Sequence, residues 1–318
     1  MRIYLFAMIC MAAVMTQSWA AEDVSPHKIK FITVEKDVQL EVLDWGGDGQ
    51  SIVFLSGLGD TGHAFDAFAP KFTNKHHVYS ITRRGFGASS KPSPTRENYD
   101  ADRLADDVLT VLDELRLQRP ILVGHSIAGN ELSSIGGRHP EKVAALIYLD
   151  ATDGVGFYST ESPVTVRIDA AVVQRALDEL PFASSARKRE LTKELEKILP
   201  QFEKSLQWSA DSAQGIEWPT YEKTPDALIV ETVRQGARMY SSIHAPALVI
   251  IAFPWACPSP CPVGRKANDE GRAKMVDAVR AGWPEAKVVT IPNSRHDVYR
   301  FNEAEVFREM NTFMNRLK

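Results

Sequence analysis

Residues 121–130 read ILVGHSIAGN. Ile121, Leu122 and Val123 make a short apolar run of the kind that fills a buried strand. Gly124, His125 and Ser126 follow, and a helical pattern then runs from Ile127 to about Arg138. A strand, a sharp turn and a helix would lift the Ser126 hydroxyl above the edge of a sheet. The first N–H groups of the helix would face that hydroxyl. So tight a turn needs small residues two positions to either side, and these are Gly124 and Ala128, with Gly129 next. A plain strand-to-helix corner would also take small residues, so the flanking sequence has to decide between the two.

The pattern of residues 121–130 recurs along the chain. SIVFLSG (51–57), HHVYSITRRGFG (76–87), VAALIYLD (143–150), ALVIIA (247–252) and AKVVTIP (286–292) are apolar runs, most of them closed by turn residues. Between them, ADRLADDVLTVLDEL (101–115) carries Leu104, Val108, Val111, Leu112 and Leu115 on one helical face. GHAFDAFAPKF (62–72) spaces Phe65, Phe68 and Phe72 as a helix would. KIKFITVEKDVQLEVLDWGGDG (28–49) reads as a hairpin around Lys36-Asp37. The chain closes on an amphipathic helix with Val306, Phe307, Met310, Phe313, Met314 and Leu317. Strands alternating with helices predict an α/β fold, a mostly parallel central sheet with helices on both faces. In such sheets ligands gather at the C-terminal ends of the strands. Ser56-Gly57, Arg84-Gly85, His125-Ser126 and Asp150 all fall there, and the RRGFGASS loop reads as structural, with Arg83 or Arg84 able to pair with an acid at the rim.

The alternation stops at 153–245, where four apparent helices and mixed charge read as an inserted helical cap. The same-sign pairs Glu190/Glu194 and Lys193/Lys197 stand four apart, as on a solvated helix face. The expected organisation is a core of 21–152 and 246–318 with the cap between. Residues 1–20 hold Arg2, an apolar run from Ile3 to Val14, and Ser18-Trp19-Ala20. These features predict a secretory signal cleaved near Ala20 and a periplasmic or secreted protein, with no stable membrane span in the mature chain. Cys257 and Cys261 are close enough in sequence for a short-loop disulfide in an oxidising compartment, or for two free thiols. The 318 residues carry a formal net charge of −4 and no long basic run, which speaks against nucleic acid as a partner. The oligomeric state is left open.

A nucleophilic serine needs a base. Of the eight histidines, His296 lies in IPNSRHDVYRF, between the last core strand and the last helix. That places it at the same edge as Ser126, whereas His125 should point away from the pocket and pack structurally. The acid that orients the base is expected at Asp150, at the tip of LIYLDATDG, with Asp153 and then Asp269 as alternatives. The loop after ALVIIA has no carboxylate before Asp269. Ile127 N–H is placed by position as one oxyanion donor, and Leu58 N–H in LSGLGD is the second candidate. SGLGDTG lacks the lysine ending of a phosphate loop and the spacing of a dinucleotide fingerprint.

With these residues in hand, the chain resembles the α/β-hydrolase superfamily in its capped form. The resemblance rests on FLSGLGDTGHAFD, ITRRGFGASS, LVGHSIAG, IYLDATDG and SRHDVYRF, in the family's order, and covers about Lys28 to Lys318. It implies Ser126 as nucleophile, His296 as base, Leu58 and Ile127 as oxyanion donors, and supports Asp150 as acid. Two positions depart from the family pattern: Ser56-Gly57 replaces the usual His-Gly, and Ala128 replaces a glycine. The expected activity is hydrolysis of small carboxylic esters with neither metal nor organic cofactor. The same residues would also serve lactones, amides, carbon–carbon bonds or acyl transfer. A ligand-binding protein on this scaffold, without turnover, is the reading from another class.

Overall fold

The computed structural model describes residues 27–152, 163–212, 224–240, 242–256 and 265–317. Eight strands form one sheet: β1 (Lys28–Glu35), β2 (Val38–Gly46), β3 (Ile52–Leu55), β4 (Val78–Ile81), β5 (Ile121–His125), β6 (Ala145–Leu149), β7 (Ala247–Ala252) and β8 (Lys287–Ile291). Their order is β1-β2-β4-β3-β5-β6-β7-β8. The β1–β2 hairpin pairs antiparallel and turns at Asp37, which adopts a positive φ. β2 meets β4 antiparallel, and every pair from β4 to β8 is parallel.

Strand side chains alternate between two cores, as the two-residue period requires. Val53, Leu55, Leu122, Leu146, Tyr148, Val249 and Ile251 face one side. There they meet α2 (Ala101–Glu114), α3 (Gly129–Arg138) and α7 (Arg265–Gly282) through Val108, Val111, Leu132, Ile135, Val276 and Val279. Ile52, Phe54, Ile121, Val123, Ile147, Leu149 and Ile250 face the other side. α9 (Glu303–Met314) covers them with Val306, Met310 and Met314, joined by Tyr299 of the short α8 (Val298–Phe301). Phe65, Phe68 and Phe72 are buried in this second core, but not on the continuous helix that their spacing suggests. Phe65 and Phe72 end two 3₁₀ turns, Gly62–Phe65 and Ala69–Phe72, while Phe68 lies between them as the residue before the second, which carries Pro70 in its first turn.

A short α1 (Arg96–Tyr99) leads into α2, whose first turn is capped by Asp100 accepting from the Asp102 N–H. Between β6 and β7 the described residues form α4 (Pro163–Glu179), α5 (Ser185–Ser212) and α6 (Pro225–Gln235). α4 packs along α5, where buried Asp169 accepts from Ser205 Oγ at 2.9 Å. α6 contacts α1 and α4, and Arg96 reaches Asp178 at 2.7 Å. Among the described residues no helix is long and apolar enough to cross a membrane. Residues 1–20, Asp153, Cys257 and Cys261 lie outside the described residues.

Candidate active site

The chain leaves β3 toward β4 on one side and leaves β5 toward β6 on the other. The crevice of a doubly wound sheet opens where connections diverge in this way. Here it lies between the end of β3, with Ser56, Gly57 and Leu58, and the end of β5, with Ser126. One strand further, His125 is paired with Leu149, so Ser126 and Asp150 are the next residues beyond two neighbouring strand ends.

Both residues have left-handed backbones, Ser126 with φ 56° and Asp150 with φ 47°. Such conformations cost a non-glycine residue about 1–3 kcal/mol and cluster at functional sites. The packing at the Ser126 turn explains its small neighbours. A Cβ at Gly124 would lie 2.9 Å from Leu132 Cδ1 and 3.1 Å from the Ala128 methyl. A Cβ at Gly129 would meet the Ala151 carbonyl oxygen at 1.9 Å. A side chain at Gly129 would strike backbone and one at Gly124 the end of the Leu132 side chain, while the Ala128 methyl is accommodated.

Three side chains meet above this turn. His296 Nε2 lies 2.7 Å from Ser126 Oγ, and His296 Nδ1 lies 2.7 Å from Asp150 Oδ2. With its proton on Nδ1, the imidazole donates to the carboxylate and accepts from the hydroxyl. Asp150 is buried, Ser126 half-buried and the His296 side chain 45% exposed, so the line runs from the interior to solvent. Such a line can raise the nucleophilicity of the hydroxyl and stabilise the imidazolium that forms. Asp269 lies instead on α7, half-buried.

Leu58 and Ile127 share one small apolar cluster with Phe86, Tyr99, Leu104, Ile229 and Val233. The two residues thus flank the crevice together. Arg83 pairs with an acid in a structural role, as the sequence suggests, but buried beneath the Leu58 turn rather than at the rim. Its Nε donates to Glu131 Oε1 at 2.5 Å, and its two terminal nitrogens reach the carbonyls of Ser56 at 2.9 Å and Gly57 at 3.3 Å. Arg84 is also buried rather than rim-exposed, forked onto Asp107 at 2.6 Å through Nε and Nη2. The RRG sequence marked both arginines but not their depth.

His125 packs behind the site as a buried residue. Its ring lies 4.7 Å from that of His296, and its Nε2 is 3.1 Å from the His296 carbonyl oxygen. Burial first, and then the nearby His296, hold its pKa below the usual histidine value, so it stays neutral near pH 7. Asp60, His125 and Asp297 are the described residues whose ligand atoms gather closely enough for a metal ion. They share no member with the Ser126–His296–Asp150 line. Sequence reasoning missed Arg272, which reaches Asp150 from α7; no motif surrounds it.

The family model described as "alpha/beta hydrolase fold" matches residues 50–251. The chain belongs to the alpha/beta hydrolase fold family. A fluoroacetate dehalogenase of a Burkholderia species is 33% identical over 107 residues, which are 33% of this chain and 35% of that protein. The chain spans about a third to a half of the length of the curated relatives it matches. Among solved structures, a membrane phospholipase A superposes with a TM-score of 0.59 at 20% identity, covering 92% of this chain and 87% of that one. An esterase from Thermogutta terrifontis superposes with a TM-score of 0.57 at 16% identity, covering 91% and 99%. At these identities the structural likeness is one of fold.

Proposed function

We propose that this alpha/beta hydrolase cleaves small carboxylic esters through an acyl-enzyme on Ser126. The observation that carries the reading is the unbroken hydrogen-bonded line from Asp150 through His296 to Ser126, set at the strand ends where the sheet connections diverge. Ser126 Oγ attacks the ester carbonyl carbon while His296 Nε2 takes its proton. The N–H groups of Leu58 and Ile127 hold the oxyanion. As the tetrahedral intermediate collapses, the carbon–oxygen bond to the alcohol breaks and His296 returns the proton to the departing alkoxide. Water, deprotonated by His296 in turn, releases the acid and restores Ser126. Asp150 keeps His296 in the tautomer that accepts from the serine.

The dehalogenase relative does not extend this reading to halogen displacement. A displacement that builds an ester intermediate on the enzyme needs a carboxylate nucleophile, and position 126 is serine. We also infer an exported protein, from the pattern of residues 1–20. The intact mass of the purified exported protein is the direct check on cleavage near Ala20.

The test is a series of p-nitrophenyl esters, from acetyl to long acyl chains, turned over by the wild type and by Ser126→Ala. The expected loss of kcat in Ser126→Ala is about 10⁴-fold or more. A rate unchanged by that substitution would remove the serine mechanism.

A further inference from the structure

Asp150 has two carboxylate oxygens, and the fold gives them different partners. Oδ2 faces His296 Nδ1 at 2.7 Å. Oδ1 accepts from the Ala252 N–H at 3.0 Å and from Arg272 Nη2 at 2.5 Å. The same Arg272 nitrogen donates to the Ala252 carbonyl at 3.1 Å. The guanidinium lies over the Trp255 ring, 4.5 Å from its centroid. Trp255 in turn bridges to Ser294, two residues before His296. The end of β7 carries no carboxylate of its own, yet its last residue and the helix that follows it grip the carboxylate of β6.

We propose that Arg272 is a positioning residue, clamping Asp150 Oδ1 so that Oδ2 alone faces His296. The clamp deepens the proposed catalytic reading and rests on it for its effect on turnover, but its effect on His296 can be measured without any substrate.

Two consequences follow from the geometry. A carboxylate held at one oxygen by a backbone N–H and a guanidinium cannot turn about its last side-chain bond and exchange its oxygens. It also arrives at His296 already neutralised by a cation, so it stabilises an imidazolium less than a lone buried carboxylate would. Arg272 therefore orients His296 and at the same time keeps it ready to give back the proton it takes from Ser126. Lysine would keep the charge but not the planar stack on Trp255.

The experiment follows the His296 ring by NMR in histidine-labelled protein across pH, for the wild type, Arg272→Met and Arg272→Lys, alongside kcat and KM for an ester. Loss of the cation in Arg272→Met should raise the His296 titration midpoint by about half to one pH unit. The acid limb of the kcat/KM profile should move up with it, since His296 acts as a base only when neutral. The plateau kcat should fall about tenfold with KM held within about twofold, as expected when a catalytic group is misplaced. Arg272→Lys should return the midpoint close to that of the wild type while recovering only part of kcat. Should Arg272→Met fail to fold, Arg272→Gln, also uncharged, must show the same upward shift. An unmoved His296 titration would make Arg272 a merely structural residue and overturn the proposal, even if kcat fell. Ester turnover that survived in Ser126→Ala while the His296 shift was present would discard the serine mechanism and leave the clamp standing.

Discussion

Arg84 in the sheet core and Arg187 on α5 make similar contacts in opposite surroundings. Arg84 is fully buried and forks onto Asp107 at 2.6 Å. Arg187 reaches Glu179 at 2.7 Å, Glu194 at 2.9 Å and Glu190 at 3.3 Å, on a surface open to solvent. Distance alone would rank them together; the dielectric does not. A buried ion pair is costly to form and costlier to break, because removing one partner strands the other away from water. A solvated pair is screened and exchanges freely with water. The contrast extends to apolar residues. Phe182, Leu177, Leu199 and Leu206 are exposed on the segment between β6 and β7, whereas β3, β4, β5, β6 and β7 bury every apolar side chain and only the edge strand β1 exposes large ones, Ile29 and Phe31. The core is therefore the part that fixes geometry, and it is also the part that carries Ser126, Asp150 and His296.

Substitutions at the two arginines separate the buried pair from the solvated one. The larger effect belongs to Arg84→Met, which leaves Asp107 buried without its partner. Chemical denaturation should show a loss of about 3–5 kcal/mol. A loss below 1 kcal/mol would mean that water reaches Asp107 and that the core is not the rigid frame described above. The smallest effect belongs to Arg187→Ala. Despite its three glutamate contacts, the melting temperature and ester turnover should both stay at wild-type values. A clear drop in melting temperature would place the α4–α5 surface under the same constraint as the core.

The strand ends that bring Ser126, Asp150 and His296 together were legible in the sequence, because short apolar runs and turn residues mark strand ends directly. The turn at Ser126 was legible for a steric reason: Gly124 and Gly129 stand where a side chain would collide. Three things were less legible. Phe65, Phe68 and Phe72 have helical spacing, but the backbone there breaks into two 3₁₀ turns. Arg83 and Arg84 read as structural residues able to pair with an acid, but the sequence does not say how deep, because burial depends on which acid meets each one. Glu131 and Asp107 come from α3 and α2, distant in sequence. Arg272 is the extreme case, 122 residues from the carboxylate it holds, with only the parallel pairing of β6 and β7 to bring them together.

Ser126 is the residue proposed to bond covalently to substrate, with His296 as its base. The most direct measurement is labelling of the intact protein by a fluorophosphonate, followed by peptide mass spectrometry. The prediction is one adduct, on the peptide containing Ser126, formed rapidly by the wild type and strongly slowed in His296→Ala. An adduct on another residue, or an unlabelled Ser126 in protein that still hydrolyses esters, would contradict it.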